Sequence, residues 1–405
     1  MTRKALYLAS VLGLWAPLAS EAQAGETCKA SKSVLTGDTQ LQPGCVYQTA
    51  FRITRPLTLD CEGSTLDGGN TLKNGIVIDS LGEPLSQVTI KNCVIQHFTN
   101  TGISVGWSAW DDEKLQSPRE EIYLKTPHQI RIENTTVDTV GTVGIYLDDY
   151  VSQVEIRNSR IANAYGVGIY LEHSSRENTI ADSIIEGNGR KWGDTPWQPG
   201  ISVDSSARNT IVNNTFSGNG KSGVSLYRNC QEQAKENPHS VVRWQGASEN
   251  RIADNRFQDE VVGVWVGERM SRNLTPMKCG LTPYYVAGDA AYVRDDAKHN
   301  TIEHNAFARM KKAAVIVEDD FNTVLRNDIQ QSAAGILVSA PIREQQQDPI
   351  RGTVLKDNVE NKAPSDVKKP LSTKAEGLLR GCVRPRVPAS LQAFSGRNQK
   401  CPDSD

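Results

Sequence analysis

Three acidic residues stand at the same place in three copies of one phrase. The phrase is G-I-x-[LV]-acid, ending on Asp148 in GIYLD, Glu172 in GIYLE and Asp204 in GISVD. Asp149, His173 and Ser205 follow these acids, and Tyr146, Tyr170 and Ser202 precede them by two positions. Carboxylates brought to one register repel one another unless they share a proton, hold a cation or face a cationic partner. A shared proton makes an acid–base pair, to which a histidine adds a base and tyrosines add donors. Asp148, Glu172 and Asp204 together would also make an oxygen ligand set for calcium.

The elements that must position these groups form a repeat. The G-[IV]-x-[VIL] phrase begins at Gly75, Gly102, Gly144, Gly168, Gly200, Gly223, Gly263 and Gly335, with a substituted copy at Ala314. Each copy is followed by a second phrase such as VEIRNSRI, NTIVNNTF or NTIEHNAF. Both phrases are short, β-branched and alternating, so each reads as a strand, with Asn and Gly at the turns. From Gly144 to Gly168 is 24 residues, about one coil of a parallel β-solenoid. Ile161, Ile185, Phe216, Phe257, Phe307 and Ile329 share one inward register, and Asn214, Asn255, Asn305 and Asn327 share another that suits an amide ladder.

With LTLDCEGSTLDG at 57–68 and the repeat running to about 360, the chain resembles the pectate-lyase-like superfamily. That resemblance implies an all-β, single-stranded, right-handed parallel β-helix with N- and C-terminal caps. The domains are then a signal peptide over 1–24, an N-terminal cap over 25–50 that the exposed end coil needs, the β-helix over 51–360 and a C-terminal cap over 361–405. Members include pectate and alginate lyases, C5-epimerases, polygalacturonases, tailspikes and periplasmic maturation proteins, so the fold alone does not settle the function.

Long coils carry insertions, and loops on a rigid scaffold carry function. Three follow the G-I-x-V strand, at 106–128, 227–249 and 267–299, and one precedes Gly200, at 187–199. They are expected to wall a cleft whose floor is the three coils beginning at Gly144, Gly168 and Gly200, roughly 15 Å wide at ~4.8 Å per coil. Tyr227 and Arg228 lie at one wall. Lys191, Trp192, Trp197, His239 and Trp265 are further substrate-binding candidates, the aromatics for stacking on sugar faces.

Two enzymatic readings follow. In a polysaccharide lyase or C5-epimerase of a uronate glycan, Arg228 or Lys191, or calcium, neutralises the uronate, His173 is the base, and Tyr146 or Tyr170 the acid. In an inverting glycoside hydrolase, Asp148 or Asp149 works with Glu172 or Asp204. A third reading is a non-catalytic periplasmic protein that binds glycan or assists maturation.

The 405 residues carry a formal charge of −2, which gives no electrostatic case for nucleic acid. Arg3 and Lys4 before ALYLASVLGLWAPLA, then Ala22-Gln23-Ala24, read as a cleaved export signal, placing the protein in the periplasm or outside the cell. No later segment reads as a membrane span, and a monomer acting on polysaccharide is expected. Cysteines 28, 45, 61, 93, 230, 279, 382 and 401 are even in number, which in an exported chain suggests disulfides. Cys230 and Cys279 lie in neighbouring insertions and are expected to pair. Proximity suggests Cys28–Cys45, Cys61–Cys93 and Cys382–Cys401 for the rest.

Overall fold

A computed structural model describes residues 26–108, 117–189, 198–236 and 243–361. Three long parallel sheets, of 12, 11 and 11 strands, wind into a right-handed parallel β-helix. Each coil contributes one strand to each long sheet, and within a sheet each strand between the two end strands pairs with its counterparts in the coils before and after it. The G-[IV]-x-[VIL] phrase supplies one sheet. Its strands include Val143–Leu147, Ile169–Leu171, Ile201–Asp204, Val224–Tyr227 and Val262–Val266.

The second phrase forms two strands, where its alternation reads as one. VTIKNCVI is divided into Val88–Lys91 and Val94–Gln96 by Asn92 at φ 57°. Asn134, Asn158, Asp182, Asn213 and Asp254 take the same left-handed conformation at the same corner. Asn and Asp tolerate that region better than most side chains, so the chain turns there without a glycine.

One continuous core fills the helix. Phe216, Phe257 and Phe307 stack almost parallel, with ring centroids 4.5 Å and 4.8 Å apart. The expected amide ladder is present, with Nδ2 of Asn214, Asn255 and Asn305 each donating to Oδ1 of the next asparagine at 3.0 Å. It continues from Asn327 to Asn358 at 2.9 Å. A second ladder links Asn178, Asn209, Asn250, Asn300 and Asn322. A third, shorter one runs from Asn188 through Asn219 to Glu260. Each rung removes the cost of a buried amide by pairing it with its neighbour.

The N-terminal segment differs from the separate cap expected over 25–50. Strands Val34–Leu35, Thr39–Gln40 and Cys45–Tyr47 each pair in register with the following coil, so this segment is already a coil. Cys28–Cys45, Cys61–Cys93 and Cys230–Cys279 are bonded as expected. The export signal, Cys382, Cys401 and the C-terminal cap lie outside the described residues. Disulfides fit an oxidising compartment. Among the described residues no helix is long and apolar enough to cross a membrane.

Candidate functional site

The floor register is as the repeat implies. Tyr146 pairs with Tyr170 and Tyr170 with Ser202 on the outer face of the sheet, while Ile145, Leu147, Ile169 and Leu171 point into the core. Asp148, Glu172 and Asp204 therefore stack at the strand ends. Asp148 needs room from the coil below. A Cβ on Gly106 would stand 2.7 Å from Asp148 Oδ2, so a glycine is required where the next coils carry an acid.

The insertions do not stand apart as walls. The first carries a helix, Arg119–Lys125, which packs Ile122 and Tyr123 with Trp107 and Tyr150. Trp244, from the end of the second insertion, joins this apolar cluster, and Arg119 lies over its ring at 4.1 Å. Tyr123 Oη donates to the Ser174 carbonyl at 2.6 Å and Gln245 Nε2 to the Ser205 carbonyl at 3.0 Å. Mutual burial of these aromatics thus closes both insertions over the turns that follow the acids.

That closure changes several roles. His173 is only 1 % exposed, beside the Tyr150 ring at 5.3 Å, with Nδ1 3.2 Å from Asp149 Oδ2. So deep a position keeps it off a substrate and makes it a positioning partner of Asp149. Asp204 is fully buried, accepting from Tyr170 Oη at 2.8 Å, Ser205 Oγ at 2.8 Å and the Asn229 N–H at 2.9 Å. Tyr227 is buried, with its hydroxyl on Ser202 Oγ and Arg269 over its ring. Arg228 faces the loops, donating to Asp296 and to the Arg243 carbonyl.

The cation at the ridge is Arg243, which the sequence reading missed. It donates to Glu172 Oε1 at 3.2 Å, placed there by the docking of its neighbour Trp244. No repeat signals it, since it lies in an insertion. Lys191, Trp192, Trp197 and His239 lie outside the described residues. Trp265 is in register beyond Ser202 and Ser225, away from the acids.

Protonation divides the carboxyls. Burial and the neighbouring Asp149 charge push Asp148 up to about 7. Burial and the charge of Asp204 push Glu172 up to about 8, against the opposing pull of Arg243. Asp149 is also penalised by burial, yet His173 draws it below the usual carboxylate range. Tyr146 Oη lies 3.1 Å from Asp148 Oδ1 and 3.4 Å from Glu172 Oε2. One phenolic proton serves one acceptor at a time, so a further proton is favoured on Asp148 or Glu172, as their raised carboxyls indicate. The ridge therefore combines two carboxyls raised toward the protonated form, Asp148 and Glu172, with one lowered toward the ionised form, Asp149.

The three carboxylates considered for calcium do not fit it. Their oxygens receive Tyr146, Tyr170, Ser205 and Arg243 donors instead of converging on one point. Among the described residues, no group of three or more His, Cys, Asp or Glu is arranged to hold a metal ion.

The family described as the right handed beta helix region matches residues 74–275 and 199–343. No curated protein matches the sequence. Among solved structures, an alginate lyase from Paenibacillus sp. str. FPU-7 is similar at 14% identity, over 80% of this chain and 92% of that one, with a TM-score of 0.47. The enzymatically active domain of tailspike protein 2 of bacteriophage CBA120 is similar at 10% identity, over 80% of this chain and 42% of that one, TM-score 0.45. The tailspike of E. coli bacteriophage HK620, solved with a pentasaccharide, is similar at 10% identity, over 84% of this chain and 58% of that one, TM-score 0.43.

Proposed function

We propose that this chain, which belongs to the right-handed β-helix family, is a glycoside hydrolase acting at the Asp148–Asp149 ridge. The observation that carries the reading is the split in protonation, with Asp148 and Glu172 raised and Asp149 lowered within one cluster. Environments that push neighbouring carboxyls apart assign the acid and the base. Asp148, protonated to about neutrality, donates its proton to the leaving glycosidic oxygen. Asp149, ionised and held by His173, removes a proton from the water that attacks the anomeric carbon. Tyr146 and Tyr170, half-buried on the outer face, offer rings for the sugar.

Asp148 and Glu172 are both in reach of the Tyr146 hydroxyl. Sharing that one hydroxyl suits them to share a proton, so they are not read as the pair that flanks a water and a sugar. Burial and the Asp149 charge keep Asp148 protonated, and Asp149 activates the water directly, so the reading is inversion. Among the described residues a uronate would meet four carboxyls, Asp148, Asp149, Glu172 and Asp204, with Arg243 on Glu172, a balance that favours the hydrolase over the lyase and epimerase reading.

The experiment is a panel of neutral and uronate polysaccharides, read for new reducing ends and for ultraviolet absorbance of unsaturated sugar, with and without EDTA. New reducing ends are expected, insensitive to EDTA and lost in Asp148→Asn, with the first product of inverted anomeric configuration by NMR. Unsaturated product would replace this reading with the lyase. Binding without turnover would replace it with a non-catalytic glycan-binding protein.

A further inference from the structure

A second patch of unusual chemistry lies on the outer face of the same sheet. Tyr170, Ser202, Ser225 and Trp265 follow one another in register. Trp265 is therefore three coils from Tyr170, or roughly 14 Å at ~4.8 Å per coil. Outer positions of a solenoid are normally polar, yet here Val262, Ala313 and Ile316 are buried with Trp265 and Val261 against them. Trp265 Nε1 donates to Glu318 Oε1 at 3.0 Å, which fixes the ring.

Cations surround that ring. Lys312, exposed, holds its ammonium over the ring at 4.3 Å, and Lys221 lies 5.9 Å from the centroid. Lys221 pairs with Glu268, which Arg272 also approaches at 3.8 Å. Burial pushes Glu318 up to about 7, so its negative charge is reduced at neutral pH. Lys221, which burial draws toward its neutral form, and Arg272 share the ionised Glu268, so Lys312 is the exposed cation beside the ring. Among the described residues Lys312 makes no ion pair. Its contact with the ring is a cation–π interaction that an anion could replace.

We propose that Trp265, Lys312 and Lys221 form a subsite for an acidic sugar, one bearing a carboxylate or a sulfate. The indole takes the apolar face of the ring, and Lys312 swings from the indole to the acidic substituent. Resting on the hydrolase reading, this makes the substrate a heteropolysaccharide. Neutral residues would occupy the ridge and an acidic one would lie about three residues along, since a sugar unit is close in length to one coil.

The test is affinity electrophoresis of the full chain through gels containing polygalacturonate, dextran sulfate or neutral dextran. The first two gels separate the carboxylate from the sulfate source. Retardation is expected in at least one acidic gel and not in dextran, weakening as salt is raised. Lys312→Gln, an exposed change, should weaken retention about fivefold, the upper scale of one exposed ion pair. Trp265→Phe and Trp265→Ala should weaken it progressively, to about tenfold for the loss of the ring contact. Lys356→Gln, exposed elsewhere, should bind as the parent does. No acidic retention, or Lys312→Gln and Trp265→Ala both binding as the parent, overturns the subsite. Asp148→Asn separates the two claims. It abolishes hydrolysis and leaves this retention intact, so each reading fails by its own measurement.

Discussion

Replacing Glu260 by glutamine isolates the cost of one buried charge. Glu260 is fully buried at the end of the ladder from Asn188 and Asn219, and accepts Asn219 Nδ2 at 2.8 Å on Oε1. Burial pushes its carboxyl from 4.5 up to about 8. The folded state therefore favours the protonated acid. Its contribution to stability is complete below the unfolded value of 4.5 and is lost as pH rises through the folded value near 8. At ~1.4 kcal/mol per unit, the loss between 4.5 and pH 7 is on the order of 3 kcal/mol. Gln keeps the oxygen that Asn219 needs and never ionises. Oε2 has no hydrogen-bond partner, so the new amide nitrogen gives up no contact there. Thermal melts followed by circular dichroism should show Glu260→Gln equal to the parent near pH 4.5. It should be more stable by several degrees near pH 7, with the gain levelling off above about pH 8. An offset that is the same at every pH would refute the reasoning, because a packing change does not titrate.

Three further outcomes follow. Hydrolysis should fall on the alkaline side with an apparent pKa near 7 as Asp148 loses its proton, and rate against pH on a cleaved polysaccharide measures it. Gly106→Ala places a methyl 2.7 Å from Asp148 Oδ2 and 2.9 Å from its Cβ, so Asp148 must shift, and kcat should fall on the order of tenfold, since small misplacement of an acid is costly. Equal kcat in that variant would show that Asp148 is not held by the coil below it. Removing the Cys230–Cys279 bond, which closes a separation of 49 residues, should destabilise the second and third insertions by about 4 kcal/mol in the chain-entropy view. Earlier proteolysis of those insertions, with the coils intact by circular dichroism, is the expected sign.

Much of the scaffold was legible because a solenoid repeats. The glycine-led phrase fixes which side chains point outward, so Tyr146 over Tyr170 and Asp148 beside Glu172 could be placed from spacing alone. The corner inside the second phrase was not legible, because the β-alternation continues across an Asn that turns at positive φ. The roles of His173, Asp204 and Arg228 were also hidden. Each depends on how irregular insertions pack, and Trp107, Tyr123, Tyr150 and Trp244 come from separate segments with no common spacing. Arg243 was missed for the same reason, although an arginine beside a tryptophan in a wall loop is the available signal. Glu260 could have been suspected as an acid standing where the ladder register calls for an amide.

The asparagine ladders also give the molecule a direction. Each linked rung donates one side-chain N–H toward the coil that comes later, as Asn178 does to Asn209 and Asn209 to Asn250, while the second can return to a carbonyl of the coil before, as in Asn214 to Ile180. The backbone N–H of Asn178 and of Asn209 follows the same course, each donating to the next Oδ1. A newly formed coil therefore holds two donors that only its successor can satisfy. Growth is like masonry in which each course leaves keys for the next. A deletion of whole coils that rejoins rung to rung should be tolerated, while a cut within a coil leaves open keys on the side facing the C-terminus.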